Sequence, residues 1–543
     1  MPGVVRILLS GLLTLDGAIA RGGHCLLATD GRGYEGPDAG SEAEPSPGLS
    51  AFGYRQSLHR LLRSLSLHAL TFSSLGVLLS SVLLIGPYWA AARGGAIWAY
   101  AAGALICQTL IALVFAELVA EYPVSGSVYN WTKKLAPAPL KWMSGWLFTS
   151  SGLVGISAGG LALATLLPRI SPVFQLVGTG AGAYDFSENA VLLGSATMLF
   201  AGLVNVIGVR FLGRTNQVGA AVEVATIVVV VVALLAHARH GPGVVAYRDS
   251  AGTGLAGGYL GALLLAFTFT MSGFYGEDEA AMMSEETSNP RSAAPRAMLR
   301  VTAGSAMLGV ALILAAFMAM PRLGDPQVQA GGFPYIIEVA LGPGLGNTIL
   351  WGAVVAVIAS VLTAVGYTAR AIFAMARDDQ LPFSRRLAYI GRSGTPALPI
   401  LVLCLTNIAI LAVNIRQPAI VLVVLSCTAV LIYLAYLIAI AALLVQRLRR
   451  RWPRPDSQGQ AQFSLGRWGL PVNAAAAVMT LVTVVTLAWP RPEVYDPAPP
   501  FHWYLRFGGL ILPLFVVGSG VLYYAFVQQG KPGAVLPAHR SPG

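Results

Sequence analysis

Apolar runs about as long as a bilayer is thick recur along the chain between Ser66 and Val527, and they constrain its fold more than any other feature. A helix that crosses the hydrocarbon core needs about 20 mostly apolar residues, because its backbone N–H and C=O groups must be paired within the segment. Only 11% of the residues are charged, well below the fraction that is usual in soluble domains. The sequence therefore predicts an all-α, multi-pass membrane protein.

Twelve candidate spans can be delimited by length and hydropathy. The loops between them alternate between basic clusters and loops that hold mostly a single arginine. Because basic loops stay in the cytoplasm, we expect both termini there, in a plasma membrane or in the inner membrane of a bacterium. The spans are residues 67–91, 96–119, 140–167, 190–209, 216–236, 257–283, 298–320, 348–376, 399–413, 418–443, 470–489 and 504–526.

The formal net charge of +11 could indicate binding to nucleic acid. The basic residues, however, lie in short loops between apolar spans, as the positive-inside rule predicts, so we expect no nucleic-acid partner. The four cysteines and seven histidines have no metal-ligand spacing, and we expect neither a metal nor a cofactor. No nucleotide-binding motif and no catalytic constellation is present, which argues against an ATP-driven pump and against a membrane enzyme.

The sixth span is interrupted near its centre. It begins as an apolar helix, is interrupted at residues 272–276, which include two glycines and a serine, and continues into the acids Glu277, Asp278 and Glu279. Ionisable groups at membrane depth usually mark the path of an ion or a solute, and the ends of a broken helix suit small charged solutes. The alternative is a helix that ends at Gly273, with the acids in a loop.

The first span is interrupted as well, by Ser73, Ser74, Gly76, Ser80 and Ser81. The adjacent mid-span pair of serines is the better candidate for the unwound point. Small residues also allow close helix packing, which is the alternative explanation. Because each interrupted span opens a group of five, the pattern predicts a 5+5 inverted-repeat fold with broken helices 1 and 6 and two extra C-terminal helices.

The domain boundaries follow from these spans. Residues 1–65 combine a short apolar run with a stretch rich in Gly, Pro, Ser and acids, which predicts a disordered cytoplasmic tail, although a cleaved signal or an over-extended start remains open. Residues 66–443 then form the ten-span core, and residues 444–468 a basic cytoplasmic loop. The last two spans lie within residues 469–527, and residues 528–543 form a cytoplasmic tail.

Three segments at the inner ends of the second, sixth and eighth spans have distinctive spacings. Their residues are Glu117, Tyr122, Pro123, Gly126 and Tyr129; then Ser284, Glu285, Glu286, Thr287, Asn289, Pro295 and Arg296; and then Arg370, Phe373, Ala374, Ala376, Arg377, Asp378, Leu381 and Pro382. Together they resemble motifs of the amino acid–polyamine–organocation (APC) superfamily, and most of all those of its amino-acid, GABA and choline permeases. The resemblance covers about residues 65–526.

The resemblance implies a bundle of spans 1, 2, 6 and 7 that rocks against a scaffold of spans 3, 4, 8 and 9. Substrate would bind between the broken helices. By position, the backbone N–H groups of Ser80, Ser81 and Val82 would meet a carboxylate. Carbonyls near the end of the first half of helix 6 would meet an ammonium group, and its tyrosine would stack on the substrate or simply pack. The sixth-span residues concerned are Ser272, Gly273, Phe274, Tyr275 and Gly276.

Two intramembrane acids are candidates for proton coupling. Asp278 lies where this branch has a G-x-D acid, and it would carry a proton or contact the substrate amine. A carboxyl group in a low-dielectric site can exchange protons. Glu277 replaces a residue that is usually uncharged or aromatic in this branch, which leaves the charge of the substrate open. Glu223, in the fifth span, would relay a proton or make a structural hydrogen bond between helices.

Charged residues also cluster after the sixth and eighth spans. We expect them to form a cytoplasmic gate or scaffold rather than to bind substrate, because ion pairs at such a position could break and re-form between states. The first cluster contains Glu285 and Glu286 with Arg291, Arg296 and Arg300, and the second contains Arg370, Arg377 and Asp378.

These features favour a secondary active transporter for amino acids or related amines, working by alternating access. The substrate could be an amino acid, GABA, choline or a polyamine, and we expect coupling to H⁺, with Na⁺ as the alternative. A sensor, or an assembly subunit with the same fold, is the competing class.

Overall fold

The computed structural model describes residues 49, 52–54, 58, 60–255, 257–391, 393–413, 415, 420–453, 463–492 and 502–531. Residues 1–48 of the predicted tail, residues 454–462 of the predicted basic loop and residues 532–543 at the C-terminus lie outside this set. Within the described residues the fold is all-helical, with a single isolated bridge between Leu62 and Thr287 and no strand.

Nineteen α-helices are described, and their bounds give the frame for the site. They are α1 Ser64–Leu75, α2 Val77–Ala92, α3 Ala96–Tyr100, α4 Gln108–Glu121, α5 Ser127–Leu135, α6 Ala138–Gly155, α7 Ala158–Ile170, α8 Asp185–Ile207, α9 Val209–Ala236, α10 Gly258–Gly273, α11 Glu279–Met282, α12 Pro290–Ala319, α13 Pro326–Arg377, α14 Ser384–Leu387, α15 Ala397–Val413, α16 Ile420–Leu448, α17 Gly469–Ala488, α18 Trp503–Arg506 and α19 Gly508–Tyr523.

Nine helical runs in the described part of the chain are long and apolar enough to cross a bilayer, and α10 and α15 are shorter apolar helices. The protein is therefore a multi-pass membrane protein. The nine runs are Ser64–Glu121, Ala138–Ile170, Asp185–Ile207, Val209–Ala236, Pro290–Ala319, Pro326–Arg377, Val423–Leu448, Gly466–Ala488 and Gly508–Gln528.

Several helices are longer than the spans that hydropathy delimits. Helix α9 begins at Val209 and includes Arg210 and Arg214, which the predicted span leaves out. Helix α13 begins at Pro326 and is kinked at Gly332 and Gly342. Helical backbone hydrogen bonding continues through polar residues beyond the apolar run, so hydropathy alone makes the predicted helices too short.

The first span breaks at Gly76, which takes the left-handed backbone conformation with φ 54° and ψ 50° between α1 and α2. The prediction that it unwinds at Ser80 and Ser81 is wrong, because both lie inside α2. The Ser80 N–H donates to the Gly76 carbonyl at 2.8 Å, and both serine hydroxyls donate to the Val77 carbonyl at 3.1 and 2.7 Å. Serine can thus remain helical, whereas glycine adopts positive φ at little cost.

The sixth span is interrupted between α10 and α11. Helix α10 ends at Gly273, Phe274 is extended, and Gly276 has φ 115° before the short α11 begins. The acids that follow do not lie in an exposed loop, since Glu277, Asp278 and Glu279 are all buried.

The two interruptions lie against each other. The Ser74 hydroxyl, two residues before the first break, donates to the Gly276 carbonyl at 2.8 Å. Helices α2 and α10 also approach closely, because a Cβ added at Gly273 would lie 2.5 Å from Leu84 Cδ1 and 3.0 Å from Ser80 Cβ. The breaks are therefore parts of one local structure.

The described residues before α1 also pack against the helical body. Leu49, Tyr54, Leu58 and Leu62 are buried. The Leu62 N–H donates to the Glu286 carbonyl at 2.8 Å. The packed body thus begins before the predicted boundary at residue 65.

We expect Gly76→Ala to lower the thermal unfolding midpoint in detergent, because a Cβ in the left-handed region costs about 1–2 kcal/mol. Gly304→Ala is the matched control, since Gly304 lies in α12 with an ordinary helical φ and open space around its Cα. Equal midpoints for the two variants would contradict this account of the break.

Candidate functional site

A cavity of about 80 Å³ lies between the two breaks. It is bounded by the α1–α2 break, α6, α7, α10, α13 and α16. One water needs roughly 10–15 Å³ of such space, so the cavity can take several waters or one small solute in their place. Its lining residues are Ser74, Leu75, Gly76, Leu79, Ser80, Leu83, Leu84, Ser151, Gly152, Gly155, Ile156, Ala158, Gly159, Ser272, Gly273, Tyr275, Ser360, Val361, Ala364, Tyr367, Leu425 and Thr428.

The described lining is uncharged and mostly apolar. Its polar groups are hydroxyls of serine, threonine and tyrosine, and its other side chains are aliphatic or absent. The Ser360 hydroxyl is buried without a hydrogen-bond partner, and it lies 3.6 Å from the position that a Cβ on Gly76 would take. A buried hydroxyl without a partner beside an unwound backbone is a ready contact for a bound polar group.

The structure places the predicted substrate residues in two groups. Four of them, Ser80, Ser272, Gly273 and Tyr275, line the cavity. The other four do not, namely Ser81, Val82, Phe274 and Gly276.

The predicted amide donors are wrong, because the break lies earlier in the chain. The Ser80 N–H is already bonded to Gly76, and the next two amides lie within α2. The amides without an intrahelical acceptor are those of the first turn, Val77 to Leu79. On the other side, the Phe274 carbonyl accepts from Gln108 Nε2 and, at 3.1 Å, from the Tyr433 hydroxyl.

Glu223 of α9 lies next to the first break. Its Oε1 accepts the backbone N–H of Leu78, in the first turn of α2, at 3.3 Å. Its Oε2 is buried and has no hydrogen-bond partner. The side chain thus makes the cross-helix bond that was one of its two expected roles, and it keeps one free oxygen.

Asp278 is buried just outside the cavity and does not line it. Its two oxygens accept from the Ser127 hydroxyl at 2.6 Å and from the Tyr436 hydroxyl at 2.5 Å. Ser127 and Tyr436 lie on α5 and α16, far away in sequence, so no local pattern could identify them.

The charged motif residues form ion pairs between the two segments. Glu286 accepts two hydrogen bonds from Arg370, at 2.5 and 2.9 Å, and Glu285 accepts two from Arg377, at 3.1 and 3.2 Å. The prediction that Arg296 belongs to this cluster is wrong, because Arg296 is exposed on α12 and makes no ion pair with the described residues. The two pairs contain four of the five residues that were predicted to form a cytoplasmic gate, and we refer to them below as the gate pairs, or the gate.

Asp378, next to the gate, joins the third motif to the first. It accepts from Lys133 Nζ at 2.7 Å, from the Tyr129 hydroxyl at 2.8 Å and from the Tyr54 hydroxyl at 2.9 Å. The Arg377 guanidinium lies 3.6 Å from the centre of the Tyr54 ring. Tyr54 carries no sequence signal for this role, because it precedes all three motifs.

Glu117 of the first motif forms a separate ion pair with Arg447 at the end of α16. Its other oxygen accepts the Ser464 hydroxyl at 3.3 Å. This contact fixes the loop before α17 on α4. Among the described residues, no group of three or more His, Cys, Asp or Glu could hold a metal ion.

A family profile described as amino acid permease matches residues 65–516. The chain belongs to the amino acid permease family. The match confirms the resemblance to the APC superfamily, and it makes this permease a transporter and not an enzyme.

The permease is similar over most of its length to proteins from fungi, plants and bacteria. It is 25% identical over 502 residues to the uncharacterized amino-acid permease C74.04 of Schizosaccharomyces pombe, covering 89% of this chain and 86% of that protein. It is 26% identical over 470 residues to amino-acid permease BAT1 of Arabidopsis thaliana, covering 81% and 87%. It is 24% identical over 362 residues to the branched-chain amino acid permease BcaP of Lactococcus lactis, covering 62% and 72%.

We expect Arg370→Leu to destabilise the permease by about 3–5 kcal/mol, because it leaves Glu286 buried without its cation. Adding Glu286→Leu should restore most of the thermal midpoint, since neither member of this pair is then left buried and charged. The matched control is the exposed pair Arg169 and Glu338, where Arg169→Leu should cost less than about 1 kcal/mol. A double variant as unstable as the single one would contradict the pairing.

Proposed function

We propose that the permease is a secondary active transporter for a small neutral amino acid, which it carries between its two broken helices by alternating access. The proposal includes twelve spans in a 5+5 inverted repeat with two extra helices. It also includes a location in the plasma membrane, or in a bacterial inner membrane, with both termini in the cytoplasm.

The observation that carries this proposal is the uncharged cavity between the two helix breaks. An amino acid is a zwitterion, and the ends of broken helices can offset both of its charges. The carboxylate would lie at the first turn of α2 and the ammonium group at the C-terminal end of α10. Because no described lining residue is acidic, a polyamine or arginine would bring positive charge that the cavity does not balance.

The side chain of the substrate would contact the aliphatic part of the lining. Leu79, Leu83, Val361 and Leu425 supply apolar surface there. BcaP, to which the chain is similar, is named a branched-chain amino acid permease, and a branched aliphatic side chain would suit such a surface. We therefore assign substrate contact to the four predicted residues that line the cavity, and we add Ser360.

We assign proton coupling to Asp278 and Glu223. Neither makes an ion pair within the described residues, and both are buried, which favours a neutral, protonated form that can exchange its proton. Sodium remains the competing ion. The gate pairs Glu286–Arg370 and Glu285–Arg377 would separate when the site opens to the cytoplasm, as ion pairs do in switching proteins.

We expect Ser360→Ala to weaken substrate binding about tenfold, because a hydrogen bond to a charged group contributes about 1.5 kcal/mol. Thermal stability should be unchanged, since the hydroxyl has no partner within the protein. Ser305→Ala is the matched control, because its hydroxyl is also buried and unpartnered but does not line the cavity. Equal affinity in the two variants would place the substrate elsewhere.

The function itself is tested by uptake into sodium-free liposomes with and without an inward proton gradient. The panel is leucine, valine, alanine, GABA, arginine, choline and putrescine. We expect gradient-driven uptake of a neutral amino acid that Asp278→Asn abolishes. Uptake that appears only when sodium is added would assign the coupling to Na⁺ instead of H⁺. No uptake by folded, inserted protein, with or without sodium, would favour the sensor or assembly-subunit class.

A further inference from the structure

Glu279 has no role in the proposed function, although among the described residues it is the one buried acid with no hydrogen bond to either carboxyl oxygen. It is the first residue of α11 and is 1% exposed. Neither of its carboxyl oxygens has a hydrogen-bond partner. A buried polar group without any partner is rare in native proteins, and a buried carboxylate without a cation is costly.

The neighbouring cations are already engaged. Arg370 gives two hydrogen bonds to Glu286 and a third, at 2.8 Å, to the Gly366 carbonyl. Arg377 is paired with Glu285 in the same way. The described structure therefore holds Glu279 without a cation of its own while the gate is closed.

Three charged groups act on Glu279. They are those of Arg370, Asp278 and Glu286, and Tyr367 of α13 is a further titratable neighbour. The charged groups of the other elements packed on α11 are engaged elsewhere or face the surface. His68 of α1 bonds the Ser64 carbonyl, Lys133 of α5 is paired with Asp378 and Lys134 lies over the Phe52 ring, while on α12 Arg291 is partly exposed and Arg296 and Arg300 are exposed.

We propose that Glu279 is a proton-binding site that sets the cytoplasmic gate. With a proton on its carboxyl group, Glu279 is neutral, Arg370 pairs with Glu286 alone, and the gate stays closed. When the proton leaves to cytoplasmic water, the new carboxylate competes with Glu286 for Arg370 and needs hydration. Both effects favour the open gate.

Within the proposed transport cycle, on which this role rests, the gate would open as the proton is released inside. Proton binding and gate closure are then linked, and each favours the other to the same extent. The sequence around Glu279 fits an acid that lacks local support, because Ala280, Ala281, Met282 and Met283 offer no side-chain donor.

The test measures the gate without relying on transport. In the full-length protein with its four native cysteines replaced, Ser284→Cys reports the gate, because Ser284 is buried between Glu279 and Glu285. Ser288→Cys, at an exposed position nearby, is the reference. Each is labelled in liposomes with a membrane-impermeant maleimide from about pH 5.5 to about pH 8.5, and the ratio of the two rates cancels the ordinary pH dependence of thiolate formation.

We expect the ratio of rates to rise with pH by about fivefold or more, the lower range of coupling between two sites. Glu279→Gln, which mimics the protonated acid, should give a low ratio that does not change with pH. Glu277→Gln, at the buried acid two residues earlier, is the matched control and should keep the rise. Elution as a single folded species is required of every variant.

A flat ratio in the parent protein, or an unchanged rise in Glu279→Gln, would overturn the proposal. A rise that both glutamine variants abolish would also overturn it, because the effect would then belong to the acidic segment as a whole. Uptake is measured on the same preparations. Uptake that fails while the pH-dependent labelling persists refutes transport and leaves the gate, and proton-driven uptake with a flat ratio refutes the gate alone.

Discussion

A backbone that leaves its helix inside a membrane must find partners for the N–H and C=O groups that it frees, and the rest of the permease depends on how this is done. The Gly276 carbonyl is met by the hydroxyl of Ser74, and the Phe274 carbonyl by Gln108 and Tyr433. These partners come from α1, α4 and α16. The helices around the cavity are therefore held together by the groups that the breaks release.

The breaks also separate two kinds of polar environment. Around the cavity, the described polar groups are neutral hydroxyls and helix ends. On the side of the three motifs, buried acids such as Glu285 and Asp378 are matched by cations. Between the two regions lie Glu277 and Glu279, which have no such match. The described lining of the cavity is thus uncharged, whereas the buried charges of the motifs are held in ion pairs.

The sequence-based predictions succeed where a local pattern is enough. Apolar runs identify a multi-pass membrane protein, and the two glycines in the middle of the sixth span locate its interruption. The first break was misplaced because two serines look like a weak point, yet their hydroxyls bond the preceding turn, and only the positive φ of Gly76 breaks the helix.

The remaining site contacts join distant segments. Arg370 and Glu286 are 84 residues apart, and Tyr436 and Asp278 are 158 apart. A single sequence shows that such residues are polar at membrane depth, but it does not show which of them meet. Arg296 illustrates this limit. Its motif predicts that it pairs within the gate, but on α12 its side chain is exposed.

Tyr54 has a practical consequence. Its ring lies under Arg377 and its hydroxyl is bonded to Asp378, although it precedes the first helix and the segment that matches the family profile. The packed structure therefore extends N-terminal to the segment that matches the family profile. A shortened protein trimmed to the start of α1 would lose the ring that covers Arg377 and the hydroxyl that is bonded to Asp378, and it would leave both charged side chains more open to water.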